Sequence, residues 1–168
     1  MKRYHAFVTA TNRGFLTASG LLILAVLAAM LWDIVSRNLF NQPTLWALDM
    51  SRFALMFIFF LALAPALEGG AHVAVDILYD YLPHGGKRSL QILAQLLVIV
   101  FTLILLFHVW QETRESFEDD GSFPTAIPVK MKYVYWIGPL GTAQFLLTAV
   151  SLLLKHERHN ARAAEGAS

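Results

Sequence analysis

The chain has 168 residues, of which 57% are hydrophobic and 15% charged, and a formal charge of +1. That much apolar material gathered into long uncharged runs is more than a soluble core takes up and points to lipid. The 13 basic and 12 acidic residues form no basic block able to follow a phosphate backbone, which excludes nucleic acid, and the absence of cysteine excludes disulfides, thiolate nucleophiles and Cys-ligated zinc or iron–sulfur clusters.

In chain order, residues 14–32, 53–67, 89–111 and 133–154 contain no Asp, Glu, Lys or Arg. Three of these runs reach the ~18 residues of a spanning helix, and the second does so once Asp49 and Arg52 are taken in. The predicted fold is an all-α integral membrane protein with spans at about residues 15–36, 45–68, 89–111 and 133–154. A single membrane domain over residues 1–168 is expected, because the remaining loops are too short for a soluble domain of ~50 residues. The first run is longer than a signal-peptide core and continues in helical phase through Trp32, Asp33 and Arg37, so it reads as a retained anchor.

Lys2, Arg3, Arg13, Lys87, Arg88, Lys155, Arg158 and Arg162 fall on the side of the termini, against Arg37, Arg52, Arg114, Lys130 and Lys132 on the other. The positive-inside rule therefore puts both termini in the cytoplasm. Trp32, Trp46, Trp110 and Trp136 all mark the opposite interface, where indoles favour the headgroup level.

Charges gather at the outer ends of the first two spans. Asp33 and Arg37 are spaced i, i+4, and Asp49 and Arg52 i, i+3, so each pair shares a helix face and can anchor a helix end or meet another polypeptide. Between the second and third spans, His72, Asp76 and Asp80 line one face of a short stretch whose other face is Val75, Leu78, Tyr79 and Leu82. A cytoplasmic helix lying on the membrane surface over residues 73–82, ended by Pro83, accounts for both stripes. His plus carboxylates at this spacing can ligate a metal, but nothing else in the loop completes a shell, so local hydrogen bonding that fixes the helix is the favoured reading.

The loop at residues 112–132 carries Glu112, Glu115, Glu118, Asp119 and Asp120, and then Pro124 and Pro128. It is either a solvated loop or a docking surface on which charge steers a soluble partner. Inside the spans the sequence offers little for an ion or polar solute to bind: Gln95 and Gln144 are the polar groups at depth in the third and fourth, and they read as interhelical hydrogen-bond partners. Gly138-Pro139 is the breaker expected to kink a span, freeing a carbonyl or two.

The order Arg37-Asn38-x-Phe40-x-x-Pro43-x-x-Trp46-x-x-Asp49-x-x-Arg52, an apolar span, Gly70-Ala71-His72-Val73-Ala74-Val75-Asp76 and then Leu82-Pro83 resembles the small membrane subunit of tripartite ATP-independent periplasmic (TRAP) transporters, the DctQ-like family. Pro128, Tyr133, Trp136 and Pro139-Leu140-Gly141 resemble that family's entry into the fourth helix. The chain departs from the pattern at Leu48, where the family often has an acid before Asp49, and at Glu68 and Gly69, where a basic residue is common.

The resemblance implies a non-enzymatic subunit in the bacterial inner membrane, serving sodium-coupled uptake of organic acids. Its partners would be a large multi-span subunit, which carries substrate and sodium ions, a periplasmic substrate-binding protein, and membrane lipid; no cofactor is expected in this chain. Arg37, Trp46, Asp49, Arg52, His72, Asp76, Pro128 and Pro139 are the partner or scaffold contacts it suggests, with Glu112, Glu115, Glu118, Asp119 and Asp120 as a docking loop. Two rivals are a haem-binding anchor of a respiratory enzyme and a stand-alone small transporter. The first is weakened because His72 and His108 fall at opposite ends of their spans, nearly ~30 Å apart, and the second by the lack of charge at mid-membrane.

Overall fold

The computed structural model describes residues 2–69, 84–125 and 127–165. They form α1 (Lys2–Phe40), α2 (Leu45–Glu68), α3 (His84–Glu118), the single turn α4 (Lys132–Tyr135) and α5 (Ile137–Glu165). Among the described residues, four helical segments are long and apolar enough to cross a membrane, α4 and α5 together supplying the fourth. The helix proposed for residues 73–82 lies outside the described residues, and His72, Asp76 and Asp80 with it.

Each connection has a local cause. α1 stops because Asn41 takes a left-handed φ of 51°, a conformation open to Asn more readily than to most side chains. Ser36 Oγ then donates to Gln42 O at 2.8 Å, closing the turn. Asp33 fixes the return: its Oδ1 accepts both the backbone N–H of Thr44, at 2.8 Å, and the Thr44 hydroxyl, so the start of α2 is tied to the last turns of α1.

At the other joint, Pro139 has no N–H to offer the Tyr135 carbonyl, which is where α4 gives way to α5. Thr113 Oγ on α3 reaches that carbonyl at 3.2 Å while also bonding Val109 O at 2.7 Å. The freed acceptor is thus covered from a neighbouring span, as lipid requires. Pro65 is a second breaker, inside α2 one turn from its end, in addition to the Gly138-Pro139 pair read from the sequence.

The spans stand in the order α1, α2, α5, α3. α1 packs on α2, α2 on α5 and α5 on α3, and α1 also reaches α5 at the end that holds the termini. Among the described residues the backbone of α3 comes close to neither α1 nor α2, so the spans form an open row rather than a closed bundle. Phe60, Leu61 and Ile137 form the apolar core at the centre of the row, with Phe15, Leu22 and Val109 against it. There α2 and α5 come close: a Cβ built on Gly141 would stand 2.5 Å from the Phe60 carbonyl oxygen, while one on Gly138 would meet the Val109 side chain of α3 at 2.5 Å. Only glycine lets the backbones come this near.

Burial runs opposite to that of a soluble protein. Asn12, Ser19, Ser51, Thr102, Thr142, Gln144 and Thr148 are buried, while Leu24, Leu27, Leu97, Phe101, Ile104 and Phe107 are exposed. Lipid tails are as apolar as leucine, so burying leucine between helices brings little gain; small residues and interhelical hydrogen bonds hold the interior instead. Trp32, Trp46, Trp110 and Trp136 are all exposed, at the end of the row opposite the termini.

Candidate functional site

Polar residues concentrate at the two ends of the row. At the terminal end Asn12, 1% exposed, is the hub. Its Nδ2 donates to Glu68 Oε2 at 2.6 Å and to Thr148 Oγ1 at 3.1 Å, and its Oδ1 accepts from Gln144 Nε2 at 2.8 Å. Thr9 Oγ1 donates to the other Glu68 oxygen at 2.7 Å. One asparagine therefore joins α1, α2 and α5. Tyr4 O–H to Leu147 O at 2.8 Å and the hydrogen-bonded pair of His5 Nδ1 and Ser151 Oγ extend the seam. Gln95 Nε2 ties α3 to α5 through Ala149 O at 2.8 Å. Gln95 and Gln144 are thus interhelical partners, as their depth in uncharged spans indicates.

Glu68 stands where the family pattern commonly has a basic residue, and here its two oxygens are filled by Thr9 and Asn12. The hub itself escaped sequence reasoning because Asn12 lies just before the uncharged run, beside Arg13, and reads as part of a solvated tail. A signal was available: Thr9 and Asn12 are spaced i, i+3 and Gln144 and Thr148 i, i+4, each pair on one helix face.

At the tryptophan end, both expected ion pairs are present. Arg37 reaches Asp33 at 2.9 Å and Arg52 reaches Asp49 at 3.6 Å, with the Asp49 side chain buried and the Arg52 side chain largely exposed. Trp46 is exposed on the first turn of α2, and Pro139 opens α5. Pro128 is exposed in the segment at residues 119–131.

That segment is ordered by its own contacts. Phe123 N–H donates to Val129 O at 3.0 Å and Met131 N–H to Gly121 O at 2.9 Å, around an isolated bridge between Ser122 and Lys130. The Phe123 ring lies 5.0 Å from Phe53 on α2 and stacks 5.9 Å from Tyr135, which pins the loop to the helices beneath it. Asp120, at a positive φ of 45°, accepts from Lys132 at 2.6 Å and from Lys130.

The five acids of the expected docking loop separate into two groups. Helix α3 runs to Glu118, so Glu112, Glu115 and Glu118 are helical rather than in a loop, because nothing before Asp120-Gly121 interrupts the helix. Glu118 is paired with Arg114 at 2.7 Å and Asp120 with the two lysines. Glu112, Glu115 and Asp119 are exposed and have no ion pair among the described residues. Glu112 and Glu115 are spaced i, i+3 on one side of α3, and Asp119 follows directly after the helix ends.

The hydrogen bonds from Lys130 and Lys132 hold the Asp120 carboxyl at about 2, below its ordinary value of 3.8. A carboxylate with a depressed pKa stabilises the folded form above its unfolded pKa and loses that contribution as pH falls through the folded one. The clamp is therefore intact at pH 5 and opens between about pH 4 and 2. Amide hydrogen exchange at Phe123 and Met131 should be slower in the parent protein than in Asp120→Asn at pH 5, with most of the difference lost by pH 2. Equal rates at pH 5 would refute the clamp.

A family model described as "Tripartite ATP-independent periplasmic transporters, DctQ component" matches residues 13–159. The sialic acid TRAP transporter small permease protein of Vibrio cholerae is 32% identical over 79 residues, which cover 47% of this chain and 46% of that protein. The ectoine TRAP transporter small permease protein of Halomonas elongata is 25% identical over 122 residues, covering 72% of this chain and 61% of the relative. The sialic acid TRAP transporter permease protein of Haemophilus influenzae is 27% identical over 105 residues, which are 62% of this chain and 16% of that longer protein. In each case the chain spans less than two thirds of the relative's own length.

Proposed function

The chain belongs to the DctQ component family of tripartite ATP-independent periplasmic transporters, and on that premise we propose that it braces a large multi-span transport subunit and helps to dock a periplasmic substrate-binding protein. In this reading it serves sodium-coupled uptake of an organic acid across the bacterial inner membrane, with both termini in the cytoplasm. Sodium ions and substrate bind the large subunit, and this chain takes part in no bond-breaking step and carries no cofactor.

The observation that carries the proposal is the open row. Its buried polar side chains, Ser116 apart, are hydrogen-bonded among the described residues, while α1 and α3 leave most of their large apolar side chains exposed. Such a shape has its hydrogen bonding turned inward and its packing surfaces turned outward, which suits a brace. Supporting it, the Haemophilus relative carries its matching stretch as a small part of a longer permease protein, an arrangement in which the two functions would sit side by side.

The test is uptake in proteoliposomes. Sodium-dependent accumulation of an organic acid is expected with this chain, the large subunit and the binding protein together, and none when this chain is reconstituted alone. Uptake by this chain alone would establish the stand-alone transporter in its place, and a haem absorbance band in the purified chain would establish the respiratory anchor.

Docking falls in this reading to the unpaired acids Glu112, Glu115 and Asp119, since Glu118 and Asp120 are occupied. Changing all three to lysine should lower the rate of binding-protein association about 10-fold or more at low salt, with the deficit shrinking as salt is added. The same reversal of Glu118 alone should act mainly on the local helix end. Association kinetics that are indifferent to the triple reversal would remove the docking role from α3.

A further inference from the structure

At the terminal end of α1, His5, Ala6, Thr9, Ala10 and Arg13 line an open recess of about 480 Å³. Their spacing carries it along one side of the helix for two turns, roughly 12 Å at 1.5 Å per residue. The Thr9 hydroxyl is committed to Glu68, and His5 Nδ1 to Ser151. What remains to meet a ligand is the Arg13 guanidinium, which has no ion pair among the described residues, the free Nε2 of His5, and the methyl groups of Ala6 and Ala10.

Two further features say what that ligand is. Arg13 immediately precedes the uncharged run that begins at Gly14, so the recess lies where hydrocarbon gives way to headgroups, a layer roughly 5–7 Å deep on each side of the bilayer. The sequence also places Lys2, Arg3 and Arg13 ahead of its first acid, Asp33, so the amino-terminal turns of α1 carry positive charge only. Among the described residues, Glu68 is the carboxylate bonded to the recess lining, and both its oxygens are engaged by Thr9 and Asn12.

We propose that this recess binds the phosphodiester of an anionic phospholipid. Arg13 presents its planar fork to two phosphate oxygens, a geometry that guanidinium matches better than ammonium. With Nδ1 hydrogen-bonded to Ser151, Nε2 is the ring nitrogen of His5 left to face the phosphate, and in the tautomer protonated there it gives a third hydrogen bond. Ala6 and Ala10 leave room for the glycerol, and the acyl chains continue along α1 past Gly14 and Gly20, around which the space for a Cβ is open. Depth selects a lipid over a free phosphate ion: a soluble anion gains nothing from a site whose inner end opens onto hydrocarbon. Basic recesses at this level of a membrane protein are a known chemistry for lipid headgroups.

Native mass spectrometry of the full chain in detergent, titrated with phosphatidylglycerol, tests the assignment. Arg13→Gln should weaken binding about fivefold, as expected for one cation near a lipid phosphate, and Arg13→Lys should recover only part of it. Arg3→Gln, on the same helix end but outside the recess, should change binding much less. Phosphatidylcholine of equal chain length should bind more weakly, and millimolar inorganic phosphate should not displace phosphatidylglycerol. Equal losses in Arg3→Gln and Arg13→Gln would mean diffuse surface charge and overturn the site, as would displacement by inorganic phosphate. Circular dichroism of each variant, expected to be unchanged because both arginines are exposed, separates loss of the site from loss of fold.

Discussion

Gly141→Ala is expected to destabilise the protein by about 1–3 kcal/mol, the range for forcing an extra carbon into a packed contact. The new Cβ would meet the Phe60 carbonyl oxygen at 2.5 Å and carbonyl carbon at 2.8 Å. Both atoms belong to the backbone of α2, so no side-chain rotation relieves the clash; the helices must separate. Gly14→Ala is the matched control. Nothing lies within 4 Å of its added carbon, so alanine's better helix propensity should leave that variant as stable as the parent or up to about 1 kcal/mol more so. Unfolding titrations in mixed detergent would measure both. If the two substitutions had the same sign and size, close approach of α2 and α5 would not be what the glycine provides.

Asn12→Leu carries the second large expected effect. Leucine matches the size of asparagine but offers no donor or acceptor, so Glu68, Gln144 and Thr148 each lose a partner in one step. Interhelical hydrogen bonds in membranes average about 0.6 kcal/mol each, and an unpaired buried polar group costs about 1–3 kcal/mol, which together predict a loss of about 3–5 kcal/mol. Asn12→Asp should be worse, because it sets a second carboxylate 2.6 Å from Glu68 Oε2. Adding Glu68→Gln to Asn12→Asp should then restore much of the stability, whereas Glu68→Gln in the parent should not stabilise it. Absence of that coupling in a double-mutant cycle would show that the two residues act independently.

The two ends of the row divide the chemistry between them. At the terminal end, Asn12 and Glu68 make a neutral-donor network that holds three helices and leaves Arg13 as the charge open to a ligand. At the tryptophan end, cations are consumed locally by Asp33, Asp49, Glu118 and Asp120, and the charges left over are Glu112, Glu115 and Asp119. In the proposed orientation this end is the outer face, and three free acids there would attract a basic surface on the proposed soluble partner.

Much of this was legible in the amino acids alone. Four spans, the boundaries of α2, the pairing of Asp33 with Arg37 and of Asp49 with Arg52, and the four tryptophans at one interface follow from hydropathy and from helical spacing. Both are local properties that lipid enforces, since a spanning segment must satisfy its backbone within itself. The resemblance also ran through these same residues, and the match over residues 13–159 bears out the family it named.

What local spacing does not carry is which faces meet. That Gly141 rather than Gly14 or Gly20 marks a backbone crossing, that Thr113 supplies the donor Pro139 lacks, and that Asn12 is a hub instead of a tail residue are decided by the row α1, α2, α5, α3. Likewise, Glu112, Glu115, Glu118, Asp119 and Asp120 are equivalent as letters, and only the folding back of Lys130 and Lys132 onto Asp120 and the extension of α3 to Glu118 separate the engaged acids from the free ones. Hydropathy records that a residue prefers lipid to water. It is silent about which neighbouring helix replaces the lipid, because inside a membrane that choice rests on shape and hydrogen bonding between segments far apart in the chain.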